Sequence, residues 1–111
     1  MNILIANFDH EKTRELNEYF SSHRHMVYSV DNDLEAVQVL NNTKVEQVLI
    51  NINKILNFGL INYINNHYSD IVIVIVTNNC VEQAISIIKN CTYDIIHEPL
   101  TLSALRQKLL V

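Results

Sequence analysis

Five short apolar runs punctuate the chain, at residues 3–6, 26–30, 48–52, 71–76 and 95–96. Each has the length of a β-strand. The third and fourth, "VLINI" and "IVIVIV", are apolar, interrupted only by Asn51, and rich in β-branched residues. Alternation would signal one buried face, whereas continuous apolar residues signal burial on both. The last run, within "DIIHE", is shorter and mixed, as an edge strand is.

Between the runs the apolar period lengthens to that of a helix. "DHEKTRELNEYFSSH" sets Thr13, Leu16 and Phe20 on one face, with Asp9 as N-cap and Glu11 in the first turn. "DNDLEAVQVLNN" aligns Leu34, Val37 and Leu40 behind the capping candidates Asp31 and Asp33. A third helix follows Gly59, with Leu60, Ile61 and Ile64 apolar; residues 80–91 and 101–111 supply a fourth and a fifth. Strand and helix alternating in this way predict a parallel sheet covered on both faces, an α/β fold.

The 111 residues, 49% of them hydrophobic, suffice for one continuous core, so residues 1–111 are read as a single domain. Eight basic residues against twelve acidic ones, a net charge of -4, leave no basic stripe to track a phosphate backbone. Direct nucleic-acid binding is not expected. No apolar stretch reaches the roughly 18 residues of a membrane span, and no signal-peptide pattern opens the chain, so a cytoplasmic protein without membrane association is expected. Cys80 and Cys91, eleven positions apart on one predicted helix, would stand about 16 Å apart along its axis, too far for a disulfide. The two histidines of "HRHM" have a chelating spacing but no third ligand nearby, and a solvated turn is the better account.

The order of these elements, with several landmark residues, resembles the receiver domain of bacterial two-component response regulators over the whole chain. The resemblance implies a flavodoxin-like, doubly wound (βα)5 three-layer sandwich with a five-stranded parallel sheet in the order 2-1-3-4-5. Asn51 falls where that family carries its phosphoacceptor Asp. The sole glycine, Gly59, matches the family's glycine opening the third helix, Thr77 its hydroxyl position, and the sole proline, Pro99, its proline after strand five. Asn7 and Phe8 replace the acidic pair that binds Mg²⁺, Glu98 replaces the lysine, and Ile95 stands at the aromatic switch position. A register one residue longer would bring Asn53 to the site, with no acid either way.

The matches are structural and the mismatches chemical. Aspartyl phosphorylation needs a carboxylate nucleophile, and Mg²⁺ needs hard, commonly charged oxygens. Glu98 reverses the sign of the group that should meet phosphate; it is a candidate partner for His97, Arg24 or Lys54 as a fixed-charge mimic. The expectation is therefore an atypical pseudo-receiver, not an enzyme, with no cofactor and its Mg²⁺ site lost. Its role would be phosphorylation-independent protein interaction or homodimerisation in signal transduction, with transcription controlled through an attached output domain should the chain be the N-terminal part of a longer regulator. The family's usual face, made by helix four, strand five and helix five, here offers Val81, Ala84, Ile87, Lys89, Cys91, Asp94 and Arg106. Two alternatives stand beside it: phosphorylation at an unusual residue such as Asp9, and a small-ligand sensor using the Asn7, Asn51 and Thr77 cleft.

Overall fold

The computed structural model describes residues 1–52, 59–68, 70–77, 93–97, 101 and 103. Its elements are β1 (Asn2–Ala6), α1 (His10–Ser22), β2 (Met26–Val30), α2 (Asp33–Asn42), β3 (Gln47–Ile52), α3 (Gly59–His67), β4 (Val72–Thr77) and β5 (Tyr93–His97). The five strands form one parallel sheet in the order β2-β1-β3-β4-β5. The 2-1-3-4-5 order expected from the resemblance is the one observed. The fourth helical segment, with Cys80 and Cys91, lies outside the described residues, as does the fifth apart from Thr101 and Ser103.

Strand alternation explains how the core divides. Ile3 and Ile5 of β1, Leu49 of β3, Val74 and Val76 of β4 and Ile96 of β5 pack with Phe8, Leu16, Tyr19 and Phe20 on the α1 face. Leu4, Ala6, Val48, Ile50, Ile73 and Ile75 point the other way and meet Ala36, Leu40, Leu60, Ile61 and Ile64 from α2 and α3. Neighbouring residues in a strand face opposite sides, so only strands apolar throughout can serve both layers. Residues 3–6 of β1, 48–50 of β3 and 73–76 of β4 are such stretches. β2 has hydrogen-bonded strands on one side only and is polar or exposed at several positions, as an edge is.

The first two helices begin as their side chains dictate, with one change. Asp9 caps α1, its carboxylate accepting from the Lys12 N–H at 2.7 Å. The cap of α2 is Asn32 rather than Asp31 or Asp33: its Oδ1 accepts from the Glu35 N–H at 2.9 Å, while Glu35 Oε1 accepts from Asn32 Nδ2 and from the Asp31 N–H. This is a reciprocal box, and it needs an acceptor three residues before an acid. Asn32 stands at that spacing.

Leu34 departs from its expected place on the apolar face of α2 and is 70% exposed, because Ala36 and Leu40 turn that face to the sheet. In α1 the inward residues are Leu16, Tyr19 and Phe20, and Thr13 instead donates its hydroxyl to the Phe8 carbonyl at 3.4 Å. The α3 trio Leu60, Ile61 and Ile64 is buried as expected. β5 is longer than the two-residue run that announced it, since backbone pairing with β4 extends from Tyr93 to His97.

Candidate functional site

In a sheet of this order the crevice lies at the carboxyl ends of β1 and β3, where consecutive connections leave in opposite directions. The structure brings Asn7, Phe8 and Asn51 to these strand ends, with Thr77 closing β4. Asn51 pairs with Val76 across β3 and β4; Thr77 stands in register with Ile52 on one side and His97 on the other. Ile95 pairs with Ile75. Glu98 and Pro99, which follow β5, lie outside the described residues, as do Asn53 and Lys54.

Each described position has a local reason. Asn7 adopts a left-handed backbone, φ 69°, and its N–H donates to the Val30 carbonyl at 3.1 Å, turning the chain from β1 toward α1. Asparagine tolerates that region better than most non-glycine residues. Phe8 is only 7% exposed and belongs to the α1-side core. Its ring is thus part of the packing beneath the loop rather than a group lining an open cavity. Asn51 is partly buried, and its Oδ1 is buried without a hydrogen-bond partner among the described residues.

The other sequence candidates fall as follows. Asp9 is at the site's margin, but its carboxylate is already the α1 cap. Gly59 is the first residue of α3 and has no positive φ, so its backbone there does not require glycine. Asp94 lies in β5, in register with Val74. Val81, Ala84, Ile87, Lys89, Cys91 and Arg106 lie outside the described residues. Arg24 precedes β2, at the amino ends of the strands, whereas Glu98 follows the carboxyl end of β5. Glu98 lies outside the described residues, and with it any pairing of Glu98 with His97, Arg24 or Lys54.

The two histidines of "HRHM" take separate partners. His23 donates from Nδ1 to the Tyr19 carbonyl at 2.8 Å, and His25 meets the Met1 ammonium at 3.0 Å. No group of three or more His, Cys, Asp or Glu that could hold a metal occurs among the described residues. No helix among them is long and apolar enough to cross a membrane.

Sequence reasoning missed two polar features. Gln47, at the start of β3, is 1% exposed with neither side-chain atom partnered among the described residues. Tyr63 and Tyr68 both donate to Asn41 Oδ1, at 3.2 and 2.6 Å, joining α2 to the end of α3. Burial, then the neighbouring Tyr63 hydroxyl through its charge and its hydrogen bond, raise the Tyr68 pKa above its ordinary value. Gln47 at the head of an apolar strand was legible as a break in pattern; the tyrosine pair had no sequence signal, since 22 and 27 residues separate the partners.

No family model matches the sequence, and no curated protein matches it either. Solved structures do. The signal receiver domain of an HD domain-containing protein from Pseudomonas fluorescens Pf-5 superimposes with a TM-score of 0.80 at 19% identity, over 96% of this chain and 92% of that one. The receiver domain of the Saccharomyces cerevisiae response regulator Ssk1, in its co-crystal with the histidine phosphotransfer protein Ypd1, gives 0.78 at 16% identity over 99% and 92%. NtrX from Brucella abortus gives 0.81 at 18% identity, but this chain spans only 25% of its length. With the strand order and the two-sided core, these likenesses establish that the chain has the flavodoxin-like fold of signal receiver domains.

Proposed function

We propose that the chain is a degenerate receiver, a regulatory module of signal transduction that works through protein contact and not through phosphoryl transfer. Asn51 carries this reading. At the end of β3, where the acceptor carboxylate of a receiver is expected, it offers a carboxamide, which has no anionic oxygen to attack a phosphoryl group. The donor set also does not fit Mg²⁺. Asn7 and Asn51 are neutral, the Phe8 ring is buried, and Asp9 is occupied by the Lys12 N–H. In this reading the output surface is the fourth helix, β5 and the last helix, whose sequence offers Val81, Ala84, Ile87, Lys89, Cys91, Asp94 and Arg106 to a protein partner or a second copy. Transcriptional control through an attached output domain is the role that two-component regulators suggest for it, in the cytoplasm.

The test is an amide NMR titration with Mg²⁺ and then beryllofluoride, beside a concentration series for self-association. Asn51 and Thr77 are expected to stay still. Asn51→Asp alone is expected to form no adduct with acetyl phosphate, because the acidic pair and the lysine remain absent. A stable, Mg²⁺-dependent phosphoadduct on that variant would overturn the reading.

One observation favours a second reading. The buried Oδ1 of Asn51, without a partner among the described residues, is an acceptor suited to an N–H or O–H donor of a small neutral molecule. A melting temperature that rises with such a molecule, and fails to rise in Asn51→Leu, would favour that reading over the first.

A further inference from the structure

At the amino ends of the strands, α1, β1 and β2 meet in a corner that the proposed function does not use. α1 ends in a Schellman turn: the Arg24 N–H donates to the Ser21 carbonyl and the His25 N–H to the Phe20 carbonyl, both at 3.0 Å. The next residue opens β2, its N–H donating to the Met1 carbonyl at 3.0 Å. On the other side of β1, the Glu46 N–H donates to the Asn2 carbonyl at 2.9 Å, and Glu46 Oε1 accepts from the Asn2 N–H at 3.1 Å. The His25 ring lies in this corner, edge-on to Phe20 with centroids 6.4 Å apart.

The contacts of the ring determine where its proton sits. The Met1 ammonium can only donate, so His25 Nδ1, 3.0 Å away, must accept with its lone pair. The neutral ring then carries its hydrogen on Nε2, which is buried and has no partner among the described residues. A second proton would have to sit on Nδ1, facing an ammonium. Burial, then the Met1 ammonium and His23, lower the His25 pKa from its ordinary 6.5, while Glu46 opposes them. Among the described residues these are the charged and titratable groups that act on the ring.

We infer that His25 is the latch of an acid-opened corner, closed by the neutral imidazole and released when the ring takes a second proton. Release breaks the Met1–His25 contact and frees the start of edge strand β2, leaving the carboxyl ends of the strands in place. The opening is local, because the far end of the same strand pair is held separately by the Asn7 N–H on Val30.

Hydrogen exchange on the full chain, read as protection factors at about pH 7.5 and about pH 5.5, tests this. Protection at the Met26 and His25 amides is expected to fall on the order of tenfold while that at Asn7 holds. His25→Asn, which keeps an acceptor near the ammonium and cannot titrate, is expected to abolish the fall. An equal loss at Asn7 and Met26 would mean global destabilisation, and a fall that persists in His25→Asn would belong to His23; either overturns the latch. Imidazole nitrogen shifts of the unmodified chain give an independent check: a hydrogen on Nδ1 rather than Nε2 at pH 7.5 would also overturn it.

Discussion

Gln47 and Asn51 are two amides on one strand and on the same face of it, with Leu49 between them, yet their surroundings differ. Both carry buried polar atoms without partners among the described residues. Gln47 is sealed at 1% exposure, whereas Asn51 is partly open at the strand's carboxyl end. An unpartnered polar atom within reach of solvent or ligand can be satisfied on binding; one enclosed in the core only costs stability. The difference teaches where to look for function: a polar break in an apolar strand is a candidate site at the carboxyl end and a liability at the amino end. The same contrast separates the two edges of the sheet. The carboxyl edge shows neutral or engaged groups at Asn7, Asp9 and Asn51, while the amino edge collects His25, the Met1 ammonium and Glu46.

The largest test of that contrast compares two rings on the α1 face. Phe20, fully buried near the amino edge, is expected to cost about 3–5 kcal/mol on truncation to alanine; Phe8→Ala, at the rim of the carboxyl edge, is expected to cost about 3 kcal/mol or less. Urea unfolding of both variants measures it, and equal costs would mean that the carboxyl edge is as tightly sealed as the amino edge. Next, Gln47→Met removes both sealed polar atoms at nearly constant shape and is expected to raise stability by about 1–3 kcal/mol in the same assay. A loss would mean that the carboxamide has partners beyond the described residues.

The smallest effect concerns the turn under the corner. Arg24 holds φ 66° at the position after the α1 cap where glycine is favoured. Arg24→Gly is expected to gain about 0.5–1 kcal/mol, the left-handed strain of a residue with a Cβ outweighing the added freedom of the unfolded chain. Acid sensitivity sharpens the same edge. His25 has a folded pKa below its unfolded value, so the stability it contributes is fully present above about pH 6.5 and is lost as pH falls toward the folded pKa.

Much of the fold was legible because burial leaves a mark on composition. The apolar strands "VLINI", broken only by Asn51, and "IVIVIV" announced a two-sided core, and Asp9 announced a helix start. Leu34 was misread because α2 reaches the sheet through Ala36, a residue too small to dominate an apolar count. The α2 cap fell between two aspartates because any of three polar residues could begin the helix, and only Glu35's reach back chose Asn32. At the candidate site the sequence indicated which residues end the strands, but not that Phe8 turns into the core while Asn51 buries an oxygen that has no partner among the described residues.

What the sequence determined by itself is the set of elements and the absence of charge at Asn7, Phe8 and Asn51, since strand burial and side-chain chemistry are properties of nearby residues. What only the tertiary structure decided is which groups meet. His25 finds the Met1 ammonium 24 positions away, and Tyr68 finds Asn41 across 27. Those contacts exist because parallel strands return each crossover to the same edge of the sheet, a consequence of the parallel topology that no local pattern encodes.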